Sequence, residues 1–256
     1  MDGNPFLTEE QKQRYQRQLS IPEISVDGQV RLRNARVMIV GLGGLGSVSS
    51  FYLAAAGVGC LRIVDHDTVG LNNLNRQILH STPDLNRPKI ESAAEKLQRL
   101  NPECLLEPVR ARIGEDNGLD LAEGCDLILD ATDNPATRHV LNRISLARRI
   151  PLVYGGINGW NGTATTFVPG ETGCFACLFP SKDLKTPATG VPALGAAAGV
   201  IGSIQSVEAV RILVGMKPAL ANRLLKFQGN SISIQFRTVH VGRDPACAQC
   251  GPSSGD

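Results

Sequence analysis

Arg36-Val-Met-Ile-Val40, running directly into Gly41-Leu-Gly-Gly-Leu-Gly46, decides how this chain is read. A short apolar run that stops abruptly at glycine is a buried strand entering a tight turn. Ser47 to Ala56 then reads as a helix with small residues on its packing side, closed by Gly57, and Cys60 to Val64 returns as a second buried strand ending on Asp65. Strand, glycine turn, helix and strand make a βαβ unit with parallel strands. Glycine is needed where the backbone turns with positive φ or approaches a phosphate without a Cβ in the way, and the free N–H groups of the helix start favour an anion. Gly41, Gly43 and Gly44 are therefore expected to hold a nucleotide, with Asp65 placed for a ribose hydroxyl. A glycine turn made only for close packing is the competing reading.

Outward from this unit the alternation continues. Asn86 suits a cap and Pro88 a first turn for a helix running to about Leu100, and Asn101-Pro102 stops it. Cys104 to Arg110 and Cys125 to Ala131 read as strands, Ala136 to Arg148 as a helix and Pro151 to Tyr154 as a strand. The fold class this implies is α/β, a Rossmann-like, doubly wound, mostly parallel sheet. After Gly155-Gly156 the pattern changes: Gly162 to Val168, Leu224 to Gln228 and Ser231 to Phe236 alternate at period two, as antiparallel strands that extend the sheet, around one long helix from Ile201 to Val214. A single domain is expected, with an N-terminal helical arm (1–34), a nucleotide-binding core (35–155) and an antiparallel extension (156–256) whose last residues, Pro252 to Asp256, read as a frayed tail.

Composition narrows the classes. With 256 residues, 42% hydrophobic and 20% charged, the chain can bury a full core, which excludes wholesale disorder. Lys plus Arg number 26 against 24 Asp plus Glu, with no basic block, so no nucleic-acid partner is expected. Val37 to Leu61 and Thr186 to Val207 lack charge for long enough to be weighed as membrane spans, but glycines, Pro192 and Gln205 read as buried interior, and no membrane partner is expected. The N-terminus carries no apolar run of signal-peptide length, so a cytoplasmic location is expected. There the seven cysteines read as reduced thiols or metal ligands.

Cys174-Phe-Ala-Cys177 and Cys247-Ala-Gln-Cys250 are two matched pairs, and four thiolates so spaced suit a structural, tetrahedral zinc ion better than a redox couple. Cys60, Cys104 and Cys125 read as small buried hydrophobes. At the carboxyl end of the predicted sheet stand Asp65-His66-Asp67 and Asn72-Asn73-Leu74-Asn75-Arg76-Gln77, a collection suited to a triphosphate. Arg76 can bridge phosphate oxygens, and Lys89 adds charge near a helix start. Asp133, beside Asn134, is placed to hold magnesium. An ordinary helix N-cap is the other reading of Asp133, made plausible by Pro135.

Taken together, GLGGLGS, DHDTVGLNNLNRQ, RPKIESA, DATDN and the two Cys pairs resemble the ubiquitin-activating-like adenylyltransferases typified by MoeB, ThiF and HesA, from Arg14 to Cys250. The resemblance implies a homodimer with a structural zinc that uses ATP and magnesium to activate the C-terminal glycine carboxylate of a small ubiquitin-like sulfur-carrier protein as an acyl-adenylate, releasing pyrophosphate. It further implies that Gly44 and Asp65 contact the nucleotide, Asn73 and Arg76 the phosphates, Lys89 the phosphates or adenylate, and Asp133 the magnesium. Arg17 matches an arginine that reaches across the dimer into the partner's ATP site.

In one respect the sequence departs from the pattern. Many members place a cysteine in the loop after the first zinc pair, where a thioester or persulfide forms, and no cysteine lies between Cys177 and Cys247. The expectation is adenylation without a loop thioester, with a separate sulfur donor resolving the adenylate. The alternatives are a tRNA-modifying or peptide-modifying relative, a nicotinamide-dependent oxidoreductase, and a non-catalytic scaffold. The oxidoreductase leaves Arg76, Lys89 and Asp133 without a task, and the scaffold expects a lost phosphate ligand.

Overall fold

The computed structural model describes residues 6–180 and 191–251. Among the described residues, eight strands form one sheet in the order β3-β2-β1-β4-β5-β6-β7-β8. The first five are β1 (Arg36–Val40), β2 (Cys60–Val64), β3 (Leu105–Val109), β4 (Leu127–Asp130) and β5 (Leu152–Asn158), and they pair in parallel. Three more, β6 (Asn161–Phe167), β7 (Arg223–Gln228) and β8 (Gln235–His240), continue the sheet antiparallel from β5. Three short or medium helices precede the sheet: α1 (Glu9–Arg14), α2 (Gln16–Leu19) and α3 (Ser25–Asn34).

The strands' alternation separates two cores. Val37, Ile39, Leu127 and Leu129 face one side, against α4 (Gly44–Ala56), α5 (Lys89–Leu100) and α9 (Gly195–Leu213). Met38, Val40 and Ile128 face the other, against α7 (Pro135–Arg148) and α8 (Phe175–Leu178), with α6 (Gly118–Leu121) alongside. A continuous apolar strand buried on both faces is what a parallel sheet covered by helices requires. Of the two charge-poor stretches, the first folds as β1, α4 and β2, and the second contains most of α9. By length and composition α9 could cross a membrane; it lies against α4, β5 and β6, with half of its apolar window buried. The stretch before it, including Lys182 to Gly190 of the loop singled out in the sequence, lies outside the described residues, as do Pro252 to Asp256.

Three local expectations are corrected. Asn86 does not cap α5: it takes a left-handed φ of 66°, and Pro88 stands at the cap position, one residue before the helix. The final strand is not Ser231 to Phe236 but Gln235–His240, because Gln228 at the end of β7 pairs with Gln235 and the residues between form the connection. Ile232 and Ile234, which supplied the apparent alternation, are exposed there. The cap of α7 is Asn134, whose side chain accepts from the N–H groups of Ala136 and Thr137, so the capping reading of Asp133 falls.

Candidate nucleotide site and cysteine cluster

Every parallel strand delivers its carboxyl end to one side of the sheet, and a cleft of about 450 Å³ opens there. Gly41, Gly43, Gly44, Asp65, Asp67, Arg76, Gln77, Lys89, Asp133 and Asn134 all line it, drawn from five separate segments of the chain. Two of the expected residues do not. Asn73 is half-buried and turned to its own loop, accepting the Gly70 N–H at 3.1 Å. Arg17 is exposed on α2 and takes no part in the chain's own cleft.

The glycine turn is built by backbone crowding. Gly41 has φ 94°, and a Cβ there would stand 2.7 Å from the carbonyl oxygen of Ala131. A Cβ at Gly46 would overlap the carbonyl oxygen of Gly41 itself. Without side chains at these two points the chain turns tightly enough to aim the N-terminus of α4, with its unpaired N–H groups, into the cleft. Asp65 secures the turn: one carboxylate oxygen accepts the Leu42 N–H at 2.7 Å, the other the Asp67 N–H at 2.8 Å.

Charge is concentrated in the cleft. Lys89, nearly buried, donates to Asp67 at 3.0 Å. Burial by itself raises the Asp67 pKa, but the hydrogen bond and charge of Lys89, with His66 and Arg112 nearby, bring it below the usual carboxylate value. Arg76 is tied to the loop by its bond to the Asn72 carbonyl at 2.9 Å. Asp133 is exposed at the opening, and its carboxylate is hydrogen-bonded to no described residue.

Sequence reasoning missed Arg112, Arg138 and Thr137 as lining residues and gave Thr132, in the DATDN loop, no role of its own. Arg112 follows β3 and meets His66 at 3.0 Å. Arg138, on the first turns of α7, donates to the carbonyls of Thr132 at 2.5 Å and Gly155 at 3.3 Å, lies 3.6 Å from the fully buried Asp130 carboxylate and stacks over Tyr154. Burial raises the Asp130 pKa, against the lowering effect of Arg138 and of two hydrogen bonds from Thr132. Its other oxygen has no hydrogen-bond partner within the described structure. In sequence Arg138 is one more charge on an amphipathic helix; only the strand-end carboxylate opposite gives it a task.

The four Cys174, Cys177, Cys247 and Cys250 sulfurs lie within 4.8 Å of one another. Neighbouring Sγ atoms are 3.4, 3.7 and 3.9 Å apart. Zinc–sulfur bonds of about 2.3 Å in a tetrahedron place sulfurs about 3.8 Å apart, so the donor set fits a closed zinc site. The Cys174 and Asp244 N–H groups point at the Cys177 sulfur at 3.5 and 3.4 Å. Asn142 on α7 joins the two pairs, accepting the Phe175 N–H and donating to Gln249. The remaining thiols are buried, and burial pushes Cys60 up to about 11 and Cys104 up to about 12, consistent with inert packing.

The ThiF family model matches residues 15–249, which is most of the chain. The chain belongs to the ThiF family. It is 41% identical over 253 residues to the SAMP-activating enzyme E1 of Haloferax volcanii, covering 96% of this chain and 91% of that protein. It is 40% identical over 250 residues to the molybdopterin-synthase adenylyltransferase of Escherichia coli K12, covering 96% and 98%. The structure of E. coli MccB with MccA-N7isoASN superposes with a TM-score of 0.82 at 23% identity, over 98% of this chain and 77% of that one, a likeness of fold. This ThiF-family protein is thus an ATP-dependent adenylyltransferase.

Proposed function

We propose that this enzyme activates the C-terminal carboxylate of a small ubiquitin-like sulfur-carrier protein ending in Gly-Gly, forming an acyl-adenylate and releasing pyrophosphate. One observation carries the reading. The nucleotide cleft shares Arg138 and Ile157 with a groove of about 300 Å³ along β5, β6 and β7, lined by Asn158, Thr163 and Lys226. An extended peptide tail laid in that groove brings its carboxylate to Arg138 and to the α-phosphate. Val191, at the end of the loop singled out in the sequence, lines the same cleft.

The chemistry asks for little beyond position and charge. A carboxylate oxygen attacks the α-phosphorus, the bond to the β-phosphate oxygen breaks, and the electron pair leaves on pyrophosphate, so no general base is needed. The glycine turn and Asp65 hold the nucleoside end, while Arg76, Lys89 and Arg112 meet the triphosphate. Asp133 has a free carboxylate suited to a magnesium ion, which keeps several waters and binds through one or two carboxylates plus phosphates. When bound, magnesium neutralises charge on the departing pyrophosphate. Arg17 completes the site from the partner in a homodimer, zinc closes the four-cysteine cluster as a structural ion, and the reaction takes place in the cytoplasm. With no cysteine between Cys177 and Cys247, the adenylate passes to a separate sulfur donor, in a molybdopterin- or thiamine-type sulfur pathway.

Carrier-dependent exchange of labelled pyrophosphate into ATP tests this. A panel of small ubiquitin-like proteins ending in Gly-Gly, with tail-truncated controls, should show exchange with one carrier that is lost on truncation. Silence across the panel, with ATP still bound, would replace the protein carrier with another carboxylate. A reducible enzyme–carrier conjugate would overturn the absence of a covalent intermediate.

A further inference from the structure

His80 lies 5% exposed, lines none of the cleft, and links three of the segments that do. Its Nε2 is 3.1 Å from the carbonyl oxygen of Leu42, in the glycine turn. Its Nδ1 is 2.9 Å from the Ser92 hydroxyl, on the helix that begins with Lys89. His80 itself ends the segment that carries Arg76 and Gln77.

The direction of these bonds follows from the donors. An ammonium has no lone pair, so Lys96, 2.8 Å from Ser92 Oγ, donates to it. That occupies one of the two Ser92 lone pairs and leaves the Ser92 proton free to reach His80 Nδ1. A carbonyl also only accepts, so Nε2 carries the proton and donates to Leu42. In a neutral ring the Leu42 carbonyl thus fixes the Nε2–H tautomer, and Nδ1 accepts from Ser92. Behind Lys96 stands Asp84, which pairs with it and accepts from the Ser81 N–H and hydroxyl. Burial lowers the His80 pKa, as do Lys96 and Lys89 on α5, whereas the Leu42 carbonyl and Asp84 raise it. The sum favours the neutral ring. Leu42 is held at both of its backbone polar groups, the N–H by Asp65 and the C=O by His80.

We infer that His80 is a positioning residue for nucleotide binding: the Leu42 carbonyl holds it as the Nε2-protonated tautomer, with Nδ1 on Ser92 of the chain Asp84–Lys96–Ser92, and in that form it locks the glycine turn to the Arg76 segment and the Lys89 helix. This concerns the ATP cleft alone and holds whichever carboxylate the enzyme activates.

The test pairs nitrogen-15 NMR of the histidine rings in the wild-type protein with ATP affinity of variants. His80 should give the Nε2–H signature from pH 8 to pH 6. His80→Leu, which leaves the Leu42 carbonyl unbonded, should weaken ATP binding by about tenfold, the factor that 1.4 kcal/mol corresponds to. His80→Gln, which retains an amide donor, should recover most of that loss. An Nδ1–H tautomer or an imidazolium at pH 7 overturns the inference, as does a folded His80→Leu protein with wild-type ATP affinity, whatever its melting temperature. If His80→Leu does not fold, the wild-type NMR result and the ATP affinity of His80→Gln decide.

Discussion

Asp65→Asn is nearly isosteric, yet the structure assigns it a definite cost. The wild-type carboxylate accepts two backbone N–H groups, from Leu42 at 2.7 Å and Asp67 at 2.8 Å, one on each oxygen. Asparagine offers one oxygen and one amide nitrogen, so one N–H faces a donor. A buried N–H left without a partner costs about 1–3 kcal/mol, and the surviving bond loses its charge assistance, worth roughly another 1 kcal/mol. The total is about 2–4 kcal/mol, or roughly 4–16 °C in melting temperature for a domain of this size. Differential scanning calorimetry on the protein without nucleotide measures it directly, and equilibrium ATP binding follows the same variant. A variant with unchanged stability but lost ATP affinity would refute the reasoning, because Asp65 would then act only on the ligand.

Asp133→Ala should abolish pyrophosphate exchange with little change in stability, since Asn134 and not Asp133 caps α7; an unfolded variant would contradict this, and calorimetry with the exchange assay distinguishes the two. Cys177→Ser should lower the zinc content measured by atomic emission and reduce stability by several kcal/mol, because metal binding to a thiolate cluster is coupled to folding. Burial alone would raise the Asp84 pKa, but Lys96 and the Ser81 hydrogen bonds hold it well below the ordinary carboxylate value. Its stabilisation is therefore full above the unfolded pKa of about 3.9 and is lost as pH falls through the folded value. Urea titrations should show Asp84→Asn less stable than wild type at pH 7, with the gap narrowing below about pH 4.

The sequence by itself determined the parallel half of the sheet, the glycine turn and the four cysteines. These are properties of short stretches: β1 and β2 are continuous apolar runs, Gly41 and Gly46 stand where a Cβ would strike backbone, and each Cys pair is spaced for one turn of chain. It also supplied most of the cleft, because parallel strands carry their carboxyl-terminal residues to one side, so Asp65 and the Asp133 loop had to converge. What only the tertiary structure decided is which charges act together. Arg138 acquires its place from Asp130, eight residues earlier but on a strand; Lys89 acquires its own from Asp67. His80 sits in a stretch with no periodic signal, and its role exists only because Leu42 and Ser92 arrive on either side of the ring. The same reason explains the misplaced last strand: alternation at Ser231 to Ile234 marks a local pattern, whereas register is fixed by the partner strand, and β7 begins its pairing with β8 at Gln235. Local sequence sets backbone geometry through sterics and burial, whereas hydrogen-bond and ion-pair partners far apart in the chain are chosen by packing.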